Sequence, residues 1–202
     1  MLLWVGLGNP GAKYAGNRHN VGFMAIDAVA GYYHFDSEKS RFNSLVRDGV
    51  IDFNGQAQRV LALKPQTFMN DSGPAVQKFM QFYKIPPGRL TVFYDEIDLI
   101  PGKVRHKSGG GIAGHNGLRS IRQHVGEGFH RIRIGIGHPG HKEKVPGHVL
   151  SDFAKSEQVW VNDVLNALAR SADLLAAGEA DKYQTRVNLM APPPGKTRRN
   201  DR

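Results

Sequence analysis

Met1-Leu2-Leu3-Trp4-Val5-Gly6-Leu7-Gly8-Asn9-Pro10-Gly11 opens the chain, and the segment from Leu2 to Leu7 reads as a strand buried on both faces. It is too short, and lacks the basic flank, to read as a signal peptide. His19 to Tyr33 follows as a largely apolar helix whose main polar interruption is Asp27. A buried strand followed by a buried helix begins an α/β fold. Gly6 to Gly11 also satisfies the pattern G-x-G-x-x-G, yet no apolar helix opens directly behind it to aim its N-terminus at a pyrophosphate. Gly109 to Gly114 matches the same pattern, so the match carries little weight in a chain with 24 glycines.

Working outward, Phe42 to Ile51 and Gln58 to Leu63 read as strands joined at Asp52-Phe53-Asn54-Gly55, where Asn-Gly supplies the positive φ angles of a tight hairpin. Asn70 to Tyr83 reads as a helix with Pro74 tolerated in its first turn. Leu90 to Tyr94 is a short apolar strand that delivers Asp95 at its C-terminal end, the end where open α/β sheets bind ligands. In His130 to Ile136 the isoleucines alternate with Arg131 and Arg133, which predicts one core-facing side and one basic side. Ser156 to Ala177 has the spacing of one long amphipathic helix. A last helix runs from Glu179 to about Leu189, before Pro192-Pro193-Pro194. The expectation is one domain over 1–190 and a disordered, basic, proline-rich tail over 191–202.

The chain has 202 residues, 40% of them hydrophobic, enough for one core. With no cysteine, disulfides, thiolate metal sites and a cysteine nucleophile are all excluded. No apolar run is long enough to span a bilayer, and a cytoplasmic location is expected. The net charge of +9 is concentrated: between Lys103 and Lys144, nine basic residues face only Glu127 and Glu143. Such a strip suits a polyanion such as nucleic acid.

The polar set worth chemistry is Asn9, Arg18-His19-Asn20, Asp95 and Gly114-His115-Asn116-Gly117. A histidine takes a proton from water near neutral pH, a carboxylate fixes its tautomer, and amides grip a peptide group without adding charge. Spacing alone leaves open whether Asp95, Glu96 or Asp98 pairs with the histidine. The four glycines of 109–114 favour a functional loop, the plainer alternative being a connector capped by Asn116. His19, Asp95 and His115 would also serve as metal ligands, although none shows a close ligand spacing.

Taken in order, Gly6-Leu7-Gly8-Asn9-Pro10-Gly11, Tyr14, Arg18-His19-Asn20-Val21-Gly22, Lys64-Pro65-Gln66-Thr67-Phe68-Met69-Asn70, Asp95-Glu96-Ile97-Asp98-Leu99, Gly114-His115-Asn116-Gly117-Leu118 and Arg131 to Pro139 resemble the bacterial-type peptidyl-tRNA hydrolase family. The resemblance runs from about Leu3 to Leu189. It implies a single α/β globule with a mixed, mostly parallel central sheet flanked by helices, and hydrolysis of the ester joining a peptide to the terminal ribose of tRNA. It implies a monomer without cofactor or metal. His19 would be the base that activates water, Asp95 would orient it, and Asn9 would act beside them. Asn70, Asn116, Tyr14, Met69 and His115 would hold the peptide end, and Arg105, Lys107, Arg133, Lys142 and Lys144 would meet tRNA phosphates. Ile112-Ala113 is bulkier than the family pattern in its loop. The alternatives are a non-catalytic RNA-binding protein using the same basic strip and a metal-dependent, aminopeptidase-like hydrolase.

Overall fold

In the computed structural model, which describes residues 1–112 and 114–195, the opening stretch forms strand β1 (Leu2–Gly6), buried at every position. Burial on both faces is what its unbroken apolar run demands. β1 lies between β4 (Gln56–Pro65) and β5 (Leu90–Glu96) and is parallel to both. β7 (His130–Gly135) adds a fourth parallel strand beside β5. The flanks are antiparallel: β3 (Ser44–Phe53) and the short β2 (Lys39–Arg41) on one side, β6 (Val104–Ser108) on the other. The sheet order is therefore β2-β3-β4-β1-β5-β7-β6, mixed with a parallel core, in a single α/β domain. The β3–β4 turn is the expected Asn54-Gly55 pair, with φ of 52° and 80°.

Helices α1 (Val21–Tyr32), α5 (Gln158–Arg170), α6 (Ala172–Ala176) and α7 (Ala180–Met190) accompany the core that contains Trp4, Phe93 and Ile132. Helices α2 (Ser72–Tyr83) and α3 (Asn116–Val125) accompany the other, with Leu3, Val92 and Ile121. A short α4 (Val145–Val149) stands between β7 and α5. α1 seats unusually close to the strands. A Cβ on Gly22 would lie 2.3 Å from the Phe93 carbonyl oxygen and 2.5 Å from the Leu7 nitrogen. A Cβ on Gly6 would lie 2.2 Å from the Gly22 oxygen. These glycines serve close packing, which is why the dinucleotide pattern appears without its function.

Three expectations are revised. The single helix over 156–177 breaks at Ser171, because α5 packs on α1 while α6 turns to pack on β3. The basic side of β7 is not a solvated face: Arg131 is 2% exposed, its guanidinium bonded to the carbonyls of Gly109, Gly110 and Gly111. The proline stretch begins inside the packed body, since Ala191 and Pro193 are buried. The rest of the tail expectation, residues 196–202, lies outside the described residues.

The two edge strands were not expected. β6 is held from outside by α7: Asn188 Oδ1 accepts from Val104 N (3.1 Å), Asn188 Nδ2 donates to Val104 O (2.8 Å), and Gln184 Oε1 accepts from His106 N (3.0 Å). Among the described residues no helix is long and apolar enough to cross a membrane.

Candidate active site

The C-terminal ends of β1 and β5 lie side by side, and the loop after β1 meets the 3-10 turn Arg18–Asn20 that leads into α1. Asn20 joins them: its Nδ2 donates to the Asn9 carbonyl (2.9 Å) and its Oδ1 accepts from the Asn9 N–H (2.9 Å). Such a two-point clamp fixes Asn9 relative to the neighbouring His19. Asn20 is 2% exposed, and its place in Arg18-His19-Asn20 was the only sequence signal for this role. Arg18, also buried, donates to Ser151 Oγ (2.6 Å) and the Asp152 carbonyl (2.9 Å) and pairs with Glu157. It thereby ties the segment that follows α4 to the histidine turn.

His19 Nδ1 is 2.9 Å from each oxygen of Asp95, and Asp95 is the acid that pairs. His115 Nε2 is 3.0 Å from the same carboxylate. His115 also caps α3, its Nδ1 accepting from the Leu118 N–H at 3.4 Å. That assigns the His115 proton to Nε2, where it donates to Asp95. The cap is therefore His115 and not Asn116. Burial alone would push the Asp95 carboxyl up, but the facing His19 and His115 imidazoles outweigh it and hold the group below the usual carboxylate range. The stability its ionised form adds is present above about pH 3.9, the ordinary aspartate value, and is lost as pH falls towards the lowered one. An ionised carboxylate only accepts, so His19 presents its Nδ1 proton to Asp95 and keeps a lone pair on Nε2.

The remaining amides are oriented by donors. Asn9 Oδ1 takes the Met69 N–H at 2.8 Å, and Asn116 Oδ1 takes Arg119 Nη1 at 3.2 Å. Backbone N–H and guanidinium groups donate only, so each asparagine commits its oxygen to a protein donor and leaves its NH₂ for a ligand. Asn9, His19, Met69, Asn70, Asp95, His115 and Asn116 all line one cleft of about 800 Å³. Its other wall, missed in the sequence, comes from Val145, Pro146, Val149 and Leu150. Phe68 at 57% and Leu150 at 46% exposure offer apolar surface for a ligand to cover.

Tyr14 is not among the residues lining this cleft; it lies on the turn Ala12–Tyr14, beyond Gly11, with Lys13 Nζ 4.8 Å from its ring. Lys142 lines the cleft and Lys144 is exposed beside it. Arg105 and Lys107 lie on β6, with Arg105 opposite Arg133 on β7. Arg133 is half-buried, its Nε donating to Glu96 at 3.0 Å. Glu96, one of the acids that spacing had left open as the histidine's partner, instead holds Arg133 and also accepts from Tyr94 Oη (3.2 Å) and the Asp98 N–H (3.1 Å). Burial, and then the neighbouring Glu96, push the Tyr94 phenol up.

Ligand atoms of His19, Asp95 and His115 lie within 4.8 Å of one another, the spacing a metal would need. The chemistry of the set argues otherwise. His115 Nε2, the nitrogen facing the carboxylate, carries its proton in this network and has no lone pair there to give.

The family described as peptidyl-tRNA hydrolase matches residues 3–197. A peptidyl-tRNA hydrolase of Cereibacter sphaeroides (strain ATCC 17025) is 54% identical over 194 residues, covering 96% of this chain and 84% of the relative. One of Phenylobacterium zucineum is 54% identical over 192 residues, covering 95% and 92%. Among solved structures, the peptidyl-tRNA hydrolase of Acinetobacter baumannii superposes with a TM-score of 0.80 at 41% identity, covering 93% of this chain and 94% of that one. A peptidyl-tRNA hydrolase in complex with n-propanol superposes at 0.81 and 40% identity.

Proposed function

This chain belongs to the peptidyl-tRNA hydrolase family, and from that premise we propose that it cleaves the ester between a peptide and the 3′-terminal ribose of tRNA with His19 as general base oriented by Asp95. Family membership sets aside the non-catalytic RNA-binding alternative. The observation that carries the mechanism is the His19 imidazole, held through Nδ1 by both Asp95 oxygens in a cleft lined by amides. His19 Nε2 takes a proton from water, and the hydroxide adds to the ester carbonyl. The NH₂ groups of Asn9 and Asn116 donate to the oxygen that gains charge. Collapse breaks the bond to the ribose oxygen, which leaves with the proton that His19 had taken. A ribose hydroxyl is a far better leaving group than an amine, so the reaction proceeds without a covalent intermediate.

In this reading Asn70, Met69 and His115 complete the peptide site, and residues 1–190 form the catalytic unit, a cytoplasmic monomer that returns tRNA from prematurely released peptidyl-tRNA. A free α-amino group would have to be buried charged against amides, which is costly, so N-blocked substrates are preferred. N-acetylaminoacyl-tRNA should therefore be hydrolysed at the same rate with and without a chelator, and aminoacyl-tRNA much more slowly. Loss of turnover on chelation would replace this mechanism with the metal-dependent alternative.

Arg105, Lys107, Arg133, Lys142 and Lys144 are proposed to meet the tRNA phosphates. The logarithm of affinity should fall linearly with the logarithm of salt, and neutralising Lys107 or Lys142 should flatten the slope by about one unit each. Arg133, already paired with Glu96, should contribute less. A short substrate carrying only the terminal nucleotide should show little salt dependence. Identical slopes for all variants and both substrates would leave the charge as a solvated surface.

A further inference from the structure

At the opposite end of the sheet from the cleft, the N-terminal ends of the parallel strands border a hollow of about 240 Å³. Trp4 on β1, Thr91 on β5 and His130 on β7 are register partners across three adjacent strands and all line it. Gln56 and Gln58 from β4 and Arg89, just before β5, also border it. Leu175 and Ala176 at the end of α6, Ala177 and Gly178 just after it, and Ala180 at the start of α7 form a further part of the lining.

The lining holds polar groups that the protein leaves unused. Thr91 is 6% exposed and Trp4 is 1% exposed. Among the described residues, neither the Thr91 hydroxyl nor the Trp4 indole N–H has a hydrogen-bond partner, and neither is sealed off from solvent. An indole N–H only donates, so it requires an acceptor. His130 uses Nδ1 on His106 (3.0 Å) and leaves Nε2 unclaimed. The Arg89 guanidinium and both glutamine amides have no protein partner among the described residues. Among the described residues no carboxylate lines the hollow, and Arg89 is the one fixed charge in its lining. Beside these donors are the apolar side chains of Leu2, Phe53 and Leu175.

Donors in excess, one cation and an apolar surface describe a particular ligand chemistry. We propose that this hollow is a binding site for a small organic carboxylate, its charge met by Arg89, Thr91 and the Trp4 N–H and its apolar body laid against Leu2, Phe53 and Leu175. The site is separate from the cleft. Thr91 and Asp95 share one face of β5 but stand about 13 Å apart at strand rise.

The test uses the full chain with ¹⁵N-labelled tryptophan, whose two indole N–H resonances belong to Trp4 and Trp160. Titration with benzoate should shift the Trp4 resonance saturably and leave Trp160 in place. Benzamide, of the same shape without the charge, should bind about tenfold more weakly, the loss expected for one charge-assisted hydrogen bond. Inorganic phosphate, lacking an apolar body, should also bind more weakly. Thr91→Val and the exposed Arg89→Met should each weaken benzoate while leaving turnover of N-acetylaminoacyl-tRNA unchanged. Equal affinity for benzoate and benzamide, phosphate binding as tightly as benzoate, no effect of Arg89→Met, or no saturable shift at Trp4 would each overturn the proposal.

Discussion

His19→Ala gives a folded protein whose turnover of N-acetylaminoacyl-tRNA falls by about 10²-fold or more, the usual contribution of a positioned general base. The fold survives because the side chain contributes to the cleft and not to either core, and because Asp95 keeps His115 as a partner when His19 is removed. Binding of deacylated tRNA should hold, since no proposed phosphate contact is touched. Asp95→Asn should reduce turnover by another route. An amide can offer its NH₂ to Nδ1, which moves the imidazole proton to Nε2 and removes the lone pair that attacks water. Rapid-quench turnover beside a thermal melt decides the matter. A folded His19→Ala protein with near-native turnover would end the general-base mechanism.

The second large effect is on stability. Gly22→Ala places a methyl 2.3 Å from the Phe93 carbonyl oxygen and 2.5 Å from the Leu7 nitrogen. Both neighbours are backbone, locked by the hydrogen bonds Leu7 N to Phe93 O (2.9 Å) and Phe23 N to Leu7 O (3.2 Å), so neither moves aside without breaking the seam. The loss should be about 3 kcal/mol or more, at the upper end of overpacking effects. Gly31 lies in the same helix with nothing within 4 Å of its absent Cβ. Gly31→Ala should therefore gain about 0.5–1 kcal/mol from helix propensity alone. Urea unfolding of the two variants gives the comparison, and a Gly22→Ala protein as stable as its parent would show that α1 is free to move outward.

The contrast between these glycines bears on what the sequence discloses. β1, β5 and the Asn54-Gly55 hairpin were legible because unbroken apolar runs and a positive-φ turn have no other economical structure. β6 was not, because Val-Arg-His-Lys-Ser carries one apolar residue and owes its place to its pairing with β7 and to α7, more than 70 residues further along. Arg131 alternates with isoleucine as a solvated face would. Only the glycine loop that folds over it makes the position buried, and no local pattern announces such a cover. The His19–Asp95 pair spans 76 residues, and spacing could not choose among Asp95, Glu96 and Asp98. The resemblance supplied that choice, and the register of β5 beside β1 gives it a physical basis. Asn20 and the α4 wall went unseen because a clamp and a cleft wall exist only once distant segments meet.

The outer edge of β6 also bears on how the molecule behaves in a crowded solution. An unpaired strand edge is a template on which another chain adds its own strand, the first event of sheet-mediated aggregation. Here Gln184 and Asn188 occupy two N–H groups and one carbonyl of that edge with side chains from a helix, which has no further edge to offer. At the far side, β2 is three residues long and carries Lys39 and Arg41, too short and too charged to recruit a partner. Lateral growth of the sheet is thus blocked along β6 by a helix, and on the far side β2 covers only Ser44 to Val46, so the stretch of β3 beyond them is the edge on which another strand could add.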